Sequence, residues 1–269
     1  MVDPAATYST LEIAVRGGVA RVALNRPDVH NAFDETLIGE LTHVVRTFDA
    51  DTSIRVLILE GRGKSFCAGA DLHWMKKMAG FTPAENLADA NSLAAMLSAL
   101  NGMSKPTIAR VHGAAYGGGV GLVACCDIAI GTPEASFALS ETRLGLIPAA
   151  ISPYVIEAIG ARAARRYFLS AERFGAEEAR RLGLLHELVA EVELDAAVDR
   201  LIATLLDAGP QAQAEAKLLI RAVAQRPIDQ GVIGDTAKRI ARVRATPEGK
   251  EGVAAFLAKQ KPSWVPRDK

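Results

Sequence analysis

The sequence is short of several things, and each shortage closes off a class of protein. It has only three cysteines in 269 residues, Cys67, Cys125 and Cys126. They form neither the spacing of a zinc site nor a disulfide framework, so the expectation is buried reduced thiols, no metal and a reducing cytoplasm. Charge is balanced, with 31 basic against 31 acidic residues, which argues against a general nucleic-acid binder. No apolar run is long enough to span a bilayer. The opening MVDPAATYST has no basic stretch followed by an apolar one and no arginines, so a targeting segment is not expected. Neither internal repeats nor low-complexity tracts stand out.

What is present is ordinary for a chain with a sizeable core: 49% apolar and 23% charged residues. Leu11 to Val15 and Val19 to Leu24 alternate in polarity about Gly17-Gly18, which reads as a hairpin. Asp34 reads as the N-cap of a helix carrying Leu37, Leu41, Val44, Val45 and Phe48 inward. RVLILE (Arg55 to Glu60) reads as a buried strand that runs into GRGKSFCAGAD. Thr82-Pro83-Ala84-Glu85 is a capping box with proline at the first helical position. TIARV (Thr107 to Val111) is the next strand, a short helix runs through Val123 and Cys125, and Asp127 to Ile130 is another strand. Strands and helices alternate to about residue 190, an α/β pattern. From Asp195 on the pattern is helical only, so residues 1–194 are read as the core and 195–269 as a helical region.

HGAAYGGGVGL (His112 to Leu122) asks what needs so bare a backbone. One reading is dinucleotide binding, since Gly119 to Ala124 fits G-x-G-x-x-A and Glu141 lies twenty residues beyond Gly121. The context opposes it, because HGAAYGG intervenes after the strand and Glu141 lies past the next one. A second reading is structural, glycines letting a helix start pack close to a sheet. A third joins this loop to CAGAD. Each follows a strand and precedes a helix, so each can aim free N–H groups at one point and together form an oxyanion hole.

FCAGADLHWMKKM (Phe66 to Met78), HGAAYGGGVGL and FALSETRLGLIP (Phe137 to Pro148) together resemble the crotonase, or enoyl-CoA hydratase/isomerase, superfamily. NRPDVHNAF (Asn25 to Phe33) and AAFLAKQKPSW (Ala254 to Trp264) resemble its two end signatures, so the resemblance runs in order along nearly the whole chain. It implies a crotonase-like β-β-α spiral core with a helical C-terminal region, assembled as a homotrimer or a dimer of trimers. The implied substrate is an acyl-CoA thioester, CoA being part of the substrate, with no separate cofactor. The implied oxyanion donors are the N–H groups of Ala70 and Gly118. Ala68, Gly69, Asp71, Leu72 and Gly117 are implied to bind the substrate, the adenine of CoA lying along the backbone of Ala68, Ala70 and Leu72. Phe256 and Lys259 are implied to meet CoA, commonly across a subunit boundary.

The match departs from the family's hydratases at one position. They carry two glutamates; one aligns with Glu141 and the other with Gly121. By carboxylate count, a single acid/base suits double-bond migration. The wider match, from Gly69 to Leu97 and from Arg143 to Phe174, resembles a subgroup of methylglutaconyl-CoA and isohexenylglutaconyl-CoA hydratases of leucine and acyclic-terpene breakdown. The expectation is therefore hydration of a branched or glutaconyl-type enoyl-CoA with Glu141 as acid/base, and isomerisation as the alternative. A glutaconyl group requires a cation or several donors for its distal carboxylate, and His73, Lys76, Lys77 and Arg143 are the candidates. Trp74, Met75 and Tyr116 are read as pocket wall or core. A non-catalytic acyl-CoA or RNA binder on the same scaffold is the competing class.

Overall fold

The structure, a computed structural model, describes residues 8–266. The hairpin forms as β1 (Leu11–Arg16) and β2 (Val19–Leu24), and Asp34 caps α1 (Glu35–Ala50), its side chain accepting from Leu37 N. Next come β3 (Val56–Gly61), β4 (Ser65–Cys67), α2 (Leu72–Met78) and α3 (Pro83–Gly102). The capping box of α3 is complete, Thr82 and Glu85 bonding each other's backbone. The chain then repeats a strand–strand–helix unit: β5 (Thr107–Val111), β6 (Ala114–Tyr116), α4 (Gly118–Cys125), followed by β7 (Ile128–Gly131), β8 (Ser136–Ala138), α5 (Ser152–Ser170). After β9 (Phe174–Gly175), α6 (Ala176–Leu182) and β10 (Glu187–Leu188), only helices follow: α7 (Leu194–Asp207), α8 (Pro210–Val223), α9 (Gln230–Ala245) and α10 (Pro247–Leu257).

Each unit gives one strand to each of two sheets. The larger sheet runs β1-β2-β3-β5-β7-β10, parallel apart from the hairpin. The smaller runs β4-β6-β8-β9, with its first three strands parallel. This is the β-β-α spiral. The larger sheet's central strands read as continuous apolar runs because both faces are covered. One face meets the main core with Leu57, Leu59 and Ala109; the other, with Val56, Ile58, Ile108 and Ile130, meets Leu194, Val198 and Ile202 of α7. The division at residue 194 thus falls at the start of a helix packed on the sheet, and the helices that stand clear of both sheets begin at Pro210. Of their residues only Val232 is buried.

The strands of the smaller sheet are three residues long or shorter. In the sequence they read as loops, because so short a strand shows no alternation.

Candidate active site

Parallel pairing makes β4, β6 and β8 release their following loops at one edge of the smaller sheet. The three loops carry Ala68-Gly69-Ala70, Gly117-Gly118 and Glu141. Ligand sites of parallel sheets lie at such carboxyl ends. The loops touch: a Cβ built on Gly69 would stand 3.0 Å from Tyr116 O and 3.8 Å from Gly117 Cα. Gly69 and Gly117 also have φ of +93° and +48°, a region where glycine carries no steric penalty. Beside them lies a cavity of about 690 Å³, lined among others by Phe33, Ala68, Gly69, Ala70, Gly117, Gly118 and Glu141.

The first loop is held from the N-terminal side. Phe33 N donates to Gly69 O at 2.7 Å, and Asp71 N donates to Phe33 O at 2.8 Å. That pairing skips Ala70, whose N–H has no main-chain partner among the described residues. Gly118 is the first residue of α4, where an N–H has no partner within the helix. Among the described residues neither N–H has a hydrogen-bond partner, so two free donors, one per loop, belong to residues of the cavity wall. Gly118 must lack a side chain: a Cβ there would lie 2.1 Å from Phe33 Cε2.

Glu141 opens the turn Glu141–Leu144, directly after β8. Gly117 N donates to Ala138 O at 2.8 Å, and Thr142 Oγ1 donates to Phe168 O at 2.9 Å, so the turn is anchored at the sheet and at α5. Glu141 Oε1 lies 3.2 Å from the place where a Cβ on Gly117 would stand. Its Oε2 is buried without a hydrogen-bond partner. Burial pushes its carboxyl above the usual carboxylate range, only partly offset by a hydrogen bond from its own backbone. A carboxyl with one free oxygen, raised affinity for a proton and two amides close by is arranged for proton transfer next to a developing oxyanion.

The space beside Gly121 is filled. A Cβ there would lie 2.2 Å from Ile151 Cγ2 and 2.9 Å from Ile151 Cβ, with Leu97 Cδ2 at 3.6 Å. An isoleucine from the start of α5 occupies the space into which any side chain at residue 121 would grow.

The sequence matches the enoyl-CoA hydratase/isomerase family over residues 14–267. The chain belongs to that family. It is 34% identical over 252 residues, 91% of its length and 80% of the relative's, to enoyl-CoA hydratase ACTT6 of Alternaria alternata. Its structure is similar to that of an enoyl-CoA hydratase from Shewanella pealeana, with a TM-score of 0.94, 48% identity and coverage of 96% of this chain and 97% of the other. Pseudomonas aeruginosa AtuE is similar too, with a TM-score of 0.91, 35% identity and coverage of 96% and 100%.

Within the family frame, some expected residues stand elsewhere. Asp71 does not line the cavity. It is 4% exposed, caps α2 by accepting from His73 N at 2.7 Å and Trp74 N at 3.3 Å, and pairs with Arg26 at 3.0 Å. Its part is to hold the loop, because both carboxylate oxygens are engaged away from the cavity. Ala68 and Leu72 do line it, though the Ala68 N–H is already donated to His30 O at 2.9 Å. Phe256, on α10, is 82% exposed and, like Lys259, lies away from the cavity of its own chain. His73, Lys76, Lys77 and Arg143 are all exposed outside the lining, and Lys77 pairs with Glu35. Trp74 and Met75 are cavity wall. Tyr116 points elsewhere, its hydroxyl 3.0 Å from Ser136 Oγ and its ring under Arg173. Phe33, Asp89, Ser140 and Ile151 line the cavity and were not legible in the sequence.

Proposed function

We propose that this chain adds water across the double bond of an enoyl-CoA whose acyl group is apolar, branched groups included, with Glu141 carrying the protons. The observation that carries the reading is the half-buried Glu141 carboxyl with its free oxygen, set in one cavity with the unpaired N–H groups of Ala70 and Gly118. The thioester oxygen docks between these two amides, which hold the negative charge as the enolate forms. Glu141 takes a proton from water as the water oxygen bonds to Cβ, and then delivers that proton to Cα. One carboxyl completes the addition and returns to its starting charge. CoA enters as part of the substrate, with its adenine along Ala68, Ala70 and Leu72. The names of the similar relatives support hydration.

A glutaconyl-type acyl group was the other expectation from sequence. The lining supports an apolar chain instead: none of its described residues is Lys, Arg or His, while Leu72, Trp74, Met75, Met78, Leu93 and Ile151 make much of its wall. Double-bond migration is the second reading, favoured by Ile151 at Gly121, which leaves Glu141 without a second carboxylate to help place water. We also propose that the exposed apolar residues of the last helices, among them Ile233, Ile240, Val253 and Phe256, meet further copies of this chain in a trimer or hexamer. Phe256 and Lys259 would then reach a neighbour's CoA.

Crotonyl-CoA, 3-methylglutaconyl-CoA and trans-3-hexenoyl-CoA, offered in parallel with hydration and migration both followed, test the reading. Hydration of crotonyl-CoA above the other two is expected. Migration of trans-3-hexenoyl-CoA without hydration would establish the isomerase, and preference for the glutaconyl ester would restore a distal-carboxylate site. Turnover of none would return the chain to the non-catalytic class.

A further inference from the structure

The cavity contains a second carboxylate that the reaction does not use. Asp89 lines it from α3, together with Asn86, Ala90 and Leu93 on the same helix face. The indole of Trp74 connects Asp89 to the catalytic end: Trp74 is buried on α2, one turn after Ala70, and its Nε1 donates to Asp89 Oδ1 at 3.1 Å. Glu35 and Lys77, which pair with each other outside the lining, are the charged groups that bear on Asp89.

The side-chain donors that line the cavity beside Asp89, Trp74 Nε1 and Asn86 Nδ2, are both engaged. With Oδ1 tied to Trp74, Asp89 Oδ2 has no hydrogen-bond partner among the described residues. Asn86 Nδ2 donates to Phe81 O at 3.2 Å and Thr82 O at 3.3 Å, which leaves its carbonyl oxygen for the cavity. Lys77, the nearby cation, is engaged by Glu35 outside the lining. A carboxylate arriving in this cavity would meet a carboxylate and an amide oxygen; His43 and Arg46 line a separate pocket that Asp89 also borders. A hydroxyl would donate to Asp89 Oδ2.

We infer that Asp89, a lining carboxylate with one free oxygen, determines specificity in the acyl pocket, admitting chains that end in a hydrogen-bond donor, a hydroxyl above all, and turning away chains that end in a carboxylate. This rests on the enoyl-CoA reading and amends its substrate class at one point, an apolar chain carrying a donor at its tip. Rejection works through an introduced repulsion as much as through an attraction.

The test uses 2-enoyl-CoA esters of one chain length ending in methyl, hydroxyl or carboxylate, with crotonyl-CoA as reference. In the unaltered protein kcat/KM for the hydroxyl ester should exceed that for the carboxylate ester by about a hundredfold, the order of loss that juxtaposed like charges bring. Asp89→Asn, whose amide can donate to a carboxylate, should cut that ratio about tenfold or more, and Asp89→Glu should keep it. Equal turnover of the two esters by the unaltered protein would overturn the inference, whatever the variants do. So would an unmoved ratio in an Asp89→Asn protein that melts normally. If crotonyl-CoA is not turned over at all, the reaction reading fails instead. The inference then stands or falls on whether the hydroxyl ester competes better than the carboxylate ester for binding.

Discussion

At residue 121 packing matters as much as charge. Ile151 stands where a side chain there would have to go. Gly121→Glu should therefore yield no better hydratase but an overpacked core, costing about 1–3 kcal/mol. A melting experiment should show the loss, and the double variant that also carries Ile151→Gly should recover part of it. Glu141 makes the opposite trade. Its unpartnered oxygen and raised proton affinity oppose the folded, ionised state, so Glu141→Gln should melt higher at neutral pH. A gain of about 1 kcal/mol would raise the midpoint by roughly 2–4 °C for a chain of this size. A carboxyl held above its ordinary pKa contributes stability while protonated, at low pH, and loses it as pH rises through the raised value, so the gain should vanish in acid. The motifs made Glu141, Ala70 and Gly118 legible in the sequence. Ile151 and Asp89 were not, since an isoleucine near a helix start and an aspartate on a helix carry no local sign of facing a cavity.

At the scale of elements, the loop that carries Ala68, Gly69 and Ala70 depends on how α2 begins. Burial alone would raise the proton affinity of Asp71, but the N–H groups of His73 and Trp74 and the guanidinium of Arg26 outweigh it, and the carboxyl is held below the usual range. Such a group adds stability above its unfolded pKa and loses it as pH falls through the lowered folded value. Asp71→Asn should flatten the acid side of the stability profile below pH ~4. Asp71→Ala, which also strips the cap and leaves Arg26 with Asp34 as its one carboxylate partner among the described residues, should cost about 2 kcal/mol or more in denaturant unfolding. The sequence announced α1 and α3 through their caps and the larger sheet through its apolar runs. It concealed β4, β6 and β8, though their parallel register sets the site. Short strands are specified by what they pair with, and that information is spread over the whole chain.

At the scale of the molecule, α8 to α10 cover little of their own chain. Leu218, Ile220, Ile233, Ile240, Val253 and Phe256 all lie exposed on these helices. Should neighbouring copies cover them, sedimentation will give a mass that is a multiple of 28.5 kDa. Ile233→Asp with Ile240→Asp should then lower that mass and the melting midpoint together. Lys259→Ala should raise KM for CoA esters with little change in kcat, as loss of binding shared by ground and transition states does. Helical periodicity made these helices legible, but it cannot separate a face meant for the core from one meant for a neighbour.

All of this chemistry turns on whether one carboxyl moves the protons. Hydration of crotonyl-CoA by Glu141→Gln, measured beside calorimetric binding of a saturated acyl-CoA, asks that directly. The expected result is binding close to that of the unaltered protein and turnover reduced about 10²–10⁴-fold, the usual contribution of a positioned acid/base. Hydration within about tenfold of normal would contradict the account, because a loss that small lies below what removal of a working acid/base brings.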